Sequence, residues 1–178
     1  LQDVGFQRAI LARELDLDQI RAIRRAAPDI ELEAFVHGAL CVSYSGQCYL
    51  SYSLGGRSGN RGCCAQPCRN SYTLWDEQGH TIATRKHVLN LHDLNLSGHI
   101  EAMIEAGVSS FKIEGRLKDE TYVANVTAHY HQRLDEACAT LGMHRAASGE
   151  VHLDFTPDLE KTFNRGYTTH FLNGRDVS

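Results

Sequence analysis

The residues most able to do chemistry in this chain are its cysteines. There are six, and five of them, Cys41, Cys48, Cys63, Cys64 and Cys68, fall in one short stretch, with Cys138 far from the rest. A secreted disulfide scaffold spreads its cysteines through a small, loop-rich chain. Here long stretches on both sides read as ordinary helix and strand, so a metal or catalytic site in a reducing, cytoplasmic setting is expected. Cys41 and Cys48 form C-x6-C, with Gly46 free to make a sharp turn between them, and Cys64 and Cys68 form C-x3-C. The side chains of adjacent Cys63 and Cys64 diverge, so one of the two joins a site. Zinc knuckles favour C-x2-C or C-x4-C, and neither the Cys41/Cys48 nor the Cys64/Cys68 pair has such a spacing, which favours iron–sulfur over zinc. From Gly38 to Trp75 there is no Asp or Glu, while Arg57, Arg61 and Arg69 are present. Thiolates on a cluster concentrate negative charge, which arginines and Gly-rich backbone N–H groups offset and carboxylates would oppose. Cys138 sits near the apolar stripe of a helix and reads as a small packed hydrophobe.

A second group of candidates is Lys112, Glu114 and Arg116, which leave a strand and enter a helix, and His37, which ends an earlier strand. Alternation puts Lys112 and Glu114 on one face, where they are expected to pair, leaving Arg116 to fork onto a carboxylate. His37 is suited to acid–base work or to a structural hydrogen bond, and the structural role is favoured. No H-E-x-x-H or G-x-S-x-G is present. Ser109-x-x-Lys112 lies on a strand, where residues three apart face opposite ways. The tyrosines Tyr44, Tyr49, Tyr52 and Tyr72 and Trp75 interleave with Arg57, Arg61 and Arg69, a mixture suited to RNA contact.

These candidates need elements to hold them. The 178 residues are 42% hydrophobic and 22% charged, values that exclude global disorder, collagen and coiled coil. A net charge of −4 argues against a wholly basic nucleic-acid module. The apolar runs are too short to span a membrane, and no signal peptide is visible. The opening LQDVG reads as the interior of a longer protein.

Periodicity predicts a strand over Ala9–Arg13, an Asp16-capped helix stopped by Pro28, and a strand over Ile30–His37. It then predicts a hairpin over Ser71–Thr84 turning at Gln78-Gly79, a strand over Leu89–Leu94, and a helix from a Ser97 cap to Ala106. A strand over Ser109–Glu114 and a long helix from Asp119 to Leu141 follow. On that helix Val123, Val126, Tyr130, Leu134, Ala137 and Leu141 face inward, and His129 and His131 face solvent. A strand over Glu150–Phe155 and a short helix over Pro157–Phe163 complete the pattern. Alternating β and α predict an α/β fold: a partial (β/α) TIM-type barrel with an inserted Cys-rich loop and β-hairpin, then an irregular α+β tail. The domain expectation is the C-terminal half of a barrel over 1–142, with the Cys-rich loop at 38–70, and a following segment or linker over 143–178.

Three blocks are recognisable: E-x-F-V-H-G-A-L-C-V-S-Y-S-G-Q-C over Glu33–Cys48, R-G-C-C-A-Q-P-C-R over Arg61–Arg69, and F-K-I-E-G-R over Phe111–Arg116. With N-R-G-Y from Asn164 they resemble the collagenase-like peptidase family, the unassigned family thirty-two. The resemblance covers nearly the whole chain and implies a 4Fe–4S cluster on Cys41, Cys48, Cys64 and Cys68. It is strongest to members that hydroxylate RNA. It therefore implies formation of 5-hydroxycytidine in ribosomal RNA with prephenate, rather than O2, as co-substrate. Ribosomal RNA is then the expected partner, with no membrane and no obligate protein partner. The chain lacks the family's N-terminal barrel half, so it is expected to be inactive alone. The alternatives are a collagenase-like peptidase and a noncatalytic metal-binding module.

Overall fold

The computed structural model describes residues 2–144 and 151–174. In chain order the elements are β1 (Arg8–Ile10), α1 (Leu17–Ala26), β2 (Glu31–Gly38), α2 (Leu50–Gly55), β3 (Tyr72–Trp75), β4 (Thr81–Lys86), β5 (Asp93–Asn95), α3 (Ile100–Glu105), β6 (Val108–Ile113), α4 (Glu120–Leu141) and β7 (Tyr167–Thr168). They fall into two compact units, residues 1–39 with 92–178, and residues 40–91.

The first unit is built on β2. Parallel β1 pairs with its N-terminal end (Ala9 opposite Leu32), and parallel β6 runs along it from Leu32 to His37. At its far end β5 runs antiparallel, with His37 opposite Asn95 and Gly38 opposite Leu94, and β7 adds parallel to β5. The sheet is therefore mixed α/β and does not close into a barrel. Between β2 and β5 the chain passes through residues 40–91 rather than a crossover helix. It re-enters at the end of β2 that it left, so β5 descends beside it.

The alternation expected of β2 is present. Ile30, Leu32, Ala34 and Val36 are buried, while Glu31, Glu33 and Phe35 are exposed or partly so. The apolar core also takes Ile20 from α1, Ile100 and Met103 from α3, and Tyr122, Val126, Tyr130 and Ala137 from α4. Removing each aliphatic side chain from water is worth about 1.5–3 kcal/mol. Helix α1 starts with a full capping box, in which the Asp16 carboxylate accepts from Gln19 N–H and the Gln19 side chain accepts from Asp16 N–H. Asp119 caps α4 by accepting from Tyr122 N–H. Arg24 clamps the base of the sheet, donating to the carbonyls of Ala27, Pro28, Ile30 and Gly107. Gly107 has a φ of +100°, and any Cβ there would strike this arginine.

Several expectations are corrected. Ser97 caps nothing: a 3-10 turn over Ser97–His99 precedes α3 without a side-chain cap. Val123 is exposed, and Tyr122 takes its place in the core. His129 and His131 are half-buried rather than facing solvent. Glu150 lies outside the described residues, and residues 151–155 form no strand; the expected short helix is a 3-10 turn over Leu159–Lys161. The two-residue strand β7 had no periodicity to announce it.

The second unit holds the cysteine segment and the β3–β4 hairpin, whose strands pair antiparallel. Its turn is closed by Asp76, which accepts from the N–H groups of Gln78 and His80, with Gly79 at φ +84°. Helix α2, six residues ending at Gly56 in the left-handed conformation, stands where no helical period is visible. No helix among the described residues is long and apolar enough to cross a membrane.

Candidate functional site

Within the second unit, Cys41, Cys48, Cys64 and Cys68 are thiols in partly buried positions, whereas Cys63 is exposed. Burial pushes the Cys68 thiol up, Arg69 pulls it down, and the thiols of Cys41, Cys64 and Cys48 push it up again. Cys68 thus feels the thiols of Cys41, Cys64 and Cys48. A methyl group built on Gly59 would touch both the Cys64 Sγ (3.8 Å) and the Cys48 carbonyl (3.9 Å), so these two strands of the loop run side by side. Gln66, in the left-handed region at φ 57°, turns its N–H onto the Cys64 Sγ at 3.2 Å. Buried Ser51 of α2 anchors the same turn by accepting from Ala65 N–H at 2.9 Å. Cys63 Sγ faces the Arg61 carbonyl instead.

Among the described residues no three His, Cys, Asp or Glu side chains converge tightly enough to hold a single metal ion. A cubane places one iron at each of four corners and so spaces its thiolates more widely than a lone ion does. Four soft donors, a backbone N–H on one sulfur and no carboxylate in the segment suit that group. Cys41, Cys48, Cys64 and Cys68 are the residues that could hold it.

The three arginines diverge in role. Arg69 is half-buried and braces the loop, donating to the Leu40 carbonyl and to Asn90, while its own carbonyl contacts the His87 ring at 3.0 Å. Arg57 and Arg61 are exposed and line an open groove with Tyr49 and Tyr52. Tyr72 is tied down, its hydroxyl donating to the Pro67 carbonyl at 2.7 Å.

In the first unit the expected Lys112–Glu114 pair does not form. Lys112 reaches Glu33 at 3.4 Å, and Glu114 pairs with Arg13 at 3.5 Å while accepting from the Arg116 backbone N–H. Glu114 lies one residue past the end of β6, where strand alternation no longer fixes its direction, and both side chains find partners on other segments. The Phe35 ring lies between the two cations, Arg13 at 4.0 Å and Lys112 at 5.2 Å from its centroid. Burial pushes the Glu33 carboxyl up, but Ser110, Lys112 and Arg8 outweigh it and hold the group below its ordinary value. Arg116 is exposed beyond the strand end. The Ser109 hydroxyl faces the Leu32 carbonyl and Lys112 faces Glu33, so no Ser–Lys couple exists.

His37 is 1% exposed and ringed by Tyr122, Tyr130 and Tyr167, with ring centroids at 6.1, 5.4 and 5.6 Å. Burial, helped by His129 and Lys118, lowers its pKa to about 4. The Tyr130 hydroxyl gives its one proton to the Val36 carbonyl at 2.7 Å, so towards His37 Nδ1, at 3.3 Å, it acts as acceptor. That fixes the neutral tautomer with the proton on Nδ1 and the lone pair on Nε2. Sequence reading missed the neighbouring pair of Asp93, 1% exposed, and Arg165, which meet at 3.0 Å. The signal available was an acid inside an apolar strand and the arginine of N-R-G-Y.

Peptidase family U32 matches residues 1–178. The chain is 54% identical over 176 residues to the 23S rRNA 5-hydroxycytidine C2501 synthase of Escherichia coli, covering 98% of this chain and 27% of that protein. It is 36% identical over 179 residues to tRNA hydroxylation protein P1 of Bacillus subtilis (97% and 41%), and 33% identical over 178 residues to a collagenase of Porphyromonas gingivalis (93% and 42%). The chain thus spans between a quarter and a half of the length of these relatives. No solved structure matches it. With its Cys-rich segment and strand-end blocks matched over the full length, this chain belongs to peptidase family U32.

Proposed function

We propose that this chain is part of an iron–sulfur RNA hydroxylase that forms 5-hydroxycytidine in ribosomal RNA, with prephenate rather than O2 as the source of oxygen. The observation that carries the reading is four partly buried cysteines in one acid-free segment, three of which, Cys41, Cys48 and Cys64, lie near enough to act on the Cys68 thiol. The similarity to RNA-hydroxylating relatives supports it. Cys41, Cys48, Cys64 and Cys68 hold a 4Fe–4S cluster, which when bound supplies one-electron redox chemistry. Arg69 favours the thiolate form of Cys68, and the Gln66 N–H points at the Cys64 sulfur. Arg116, exposed beyond the end of β6, binds a carboxylate of prephenate through its planar fork. His37, neutral at physiological pH, holds the end of β2 in place against α4. The strand blocks then belong to a barrel completed by the rest of a cytoplasmic protein, and the chain alone is inactive.

The test uses the full-length protein, reconstituted anaerobically with iron and sulfide and given ribosomal RNA. Mass spectrometry should find one added oxygen on a cytidine only when prephenate is present. Arg116→Lys should lower that yield at least about tenfold, roughly 1.4 kcal/mol, with iron content and Tm unchanged. Unmodified RNA together with gelatin cleavage that survives chelation would replace this reading by the peptidase one.

A further inference from the structure

The groove beside the cysteine loop carries features that cluster binding does not use. Tyr49 and Tyr52 lie three residues apart at the start of α2, hence on one side of it, and are 65% and 59% exposed. Both line the groove with Gly56, Ser58, Asn60, Cys63 and the arginines Arg57 and Arg61. Arg57 is aimed by its Nε, which donates to the Cys63 carbonyl at 2.9 Å. Among the described residues neither arginine pairs with a carboxylate, and the sequence has no Asp or Glu from Gly38 to Trp75.

Charge is also divided between the two units. Residues 40–91 carry five basic and two acidic side chains, a balance of +3. The remainder of the chain, with thirteen basic and twenty acidic, stands at −7. A negative polymer is therefore drawn to the smaller unit and repelled by the larger.

We propose that this groove binds an unpaired stretch of RNA, with a splayed base stacked on Tyr49 or Tyr52 and the flanking phosphates on Arg57 and Arg61. The assignment deepens the RNA-hydroxylase reading and rests on it for the choice of RNA. Exposed tyrosine faces beside arginine are what an unstacked base needs, and a duplex, whose bases are already stacked, cannot use them. Arg69 is left out of the contact, because its guanidinium is spent on Leu40 and Asn90.

The probe is a short fluorescein-labelled single-stranded oligoribonucleotide, titrated by anisotropy against the reconstituted chain, with iron content measured on each variant. Tyr52→Ala should weaken binding about tenfold, within the range of one lost base stack, and Tyr52→Phe should stay within about twofold of the parent. Arg61→Gln should flatten the slope of log affinity against log salt by about 0.7, one phosphate contact on a single strand. Lys86→Gln, a cation of the same unit outside the groove, should change Tyr52-dependent binding little. Equal affinity for Tyr49→Ala, Tyr52→Ala and the parent would overturn the proposal. So would equal affinity for the strand and its duplex, or for the strand and a polyglutamate peptide. Failure of the hydroxylase reading looks different: the strand binds and responds to Tyr52→Ala, yet RNA in the full-length assay never gains oxygen.

Discussion

In the sheet unit Leu32, Val36, Met103 and Val126 are almost fully excluded from water, and α1, α3 and α4 each add buried apolar side chains to the same core. Residues 40–91 do the reverse. Val42, Leu54, Leu74, Trp75, Ile82 and Val88 lie at the surface, and Leu40 is the one large apolar side chain they bury. A segment of this size without a core does not offset its own ordering entropy, and small folds of that kind rely on disulfides or metals. The cysteines are thiols, so the staple this unit would use is the proposed cluster. What replaces apolar packing meanwhile is a set of side-chain to backbone bonds from Arg69, Ser51 and Tyr72. The comparison teaches that one unit is held by hydrophobic burial and the other by polar ties, to which the proposed cluster would add, and each can be broken separately.

The largest stability effect is expected at Arg165. Arg165→Met leaves the Asp93 carboxylate buried without its partner and should cost the sheet unit about 3–5 kcal/mol. Hydrogen exchange on the amides of β2 and β5 reads this, and adding Asp93→Asn should recover most of it. If retained iron falls in step, the two units do not stand on separate supports.

A smaller effect follows from His37. Its pKa is about 4 when folded and 6.5 as an ordinary imidazole. Between those values the unfolded chain takes up a proton that the folded chain refuses. Stability is therefore full above pH 6.5 and drains as pH falls to 4, by about 3 kcal/mol in total. Lys118 and His129 are the charged or titrating groups that act on it, and the surrounding tyrosines stay neutral in this window. His37→Met should flatten the pH slope of the urea midpoint of the sheet unit, leaving a smaller slope of the same sign from His129, whose pKa burial also lowers. An unchanged slope would mean that His37 is not held in its neutral form.

Much of the sheet unit is readable in the chain because its signals are local and redundant. Asp16 and Asp119 precede apolar periods and do cap helices, and the alternation of Ile30, Leu32, Ala34 and Val36 marks one buried face. The hairpin is readable for the same reason, Gly79 supplying its positive φ. Ser97 misleads because a 3-10 turn intervenes before α3. Helix α2 is invisible because Leu50-Ser-Tyr-Ser-Leu-Gly has no apolar stripe and buries only Ser51. The ion pairs of Lys112 and Glu114 depend on Glu33 and Arg13, which lie about eighty and about a hundred positions away in the chain; spacing along one strand cannot reveal them. At the cysteines the sequence shows donor type and charge. Which of the adjacent pair turns inward depends on the left-handed turn at Gln66.

That adjacent pair also offers the most direct test of the central claim, that Cys41, Cys48, Cys64 and Cys68 carry a 4Fe–4S cluster which holds the smaller unit together. Iron and acid-labile sulfide are measured per chain after anaerobic reconstitution of the parent, Cys63→Ala and Cys64→Ala. The account predicts four irons and four sulfides, about one cluster per chain, in the parent and Cys63→Ala, with Cys64→Ala losing them because one corner iron is left without its thiolate. Iron retained by Cys64→Ala and lost by Cys63→Ala, or a parent that binds zinc and no iron, would contradict it.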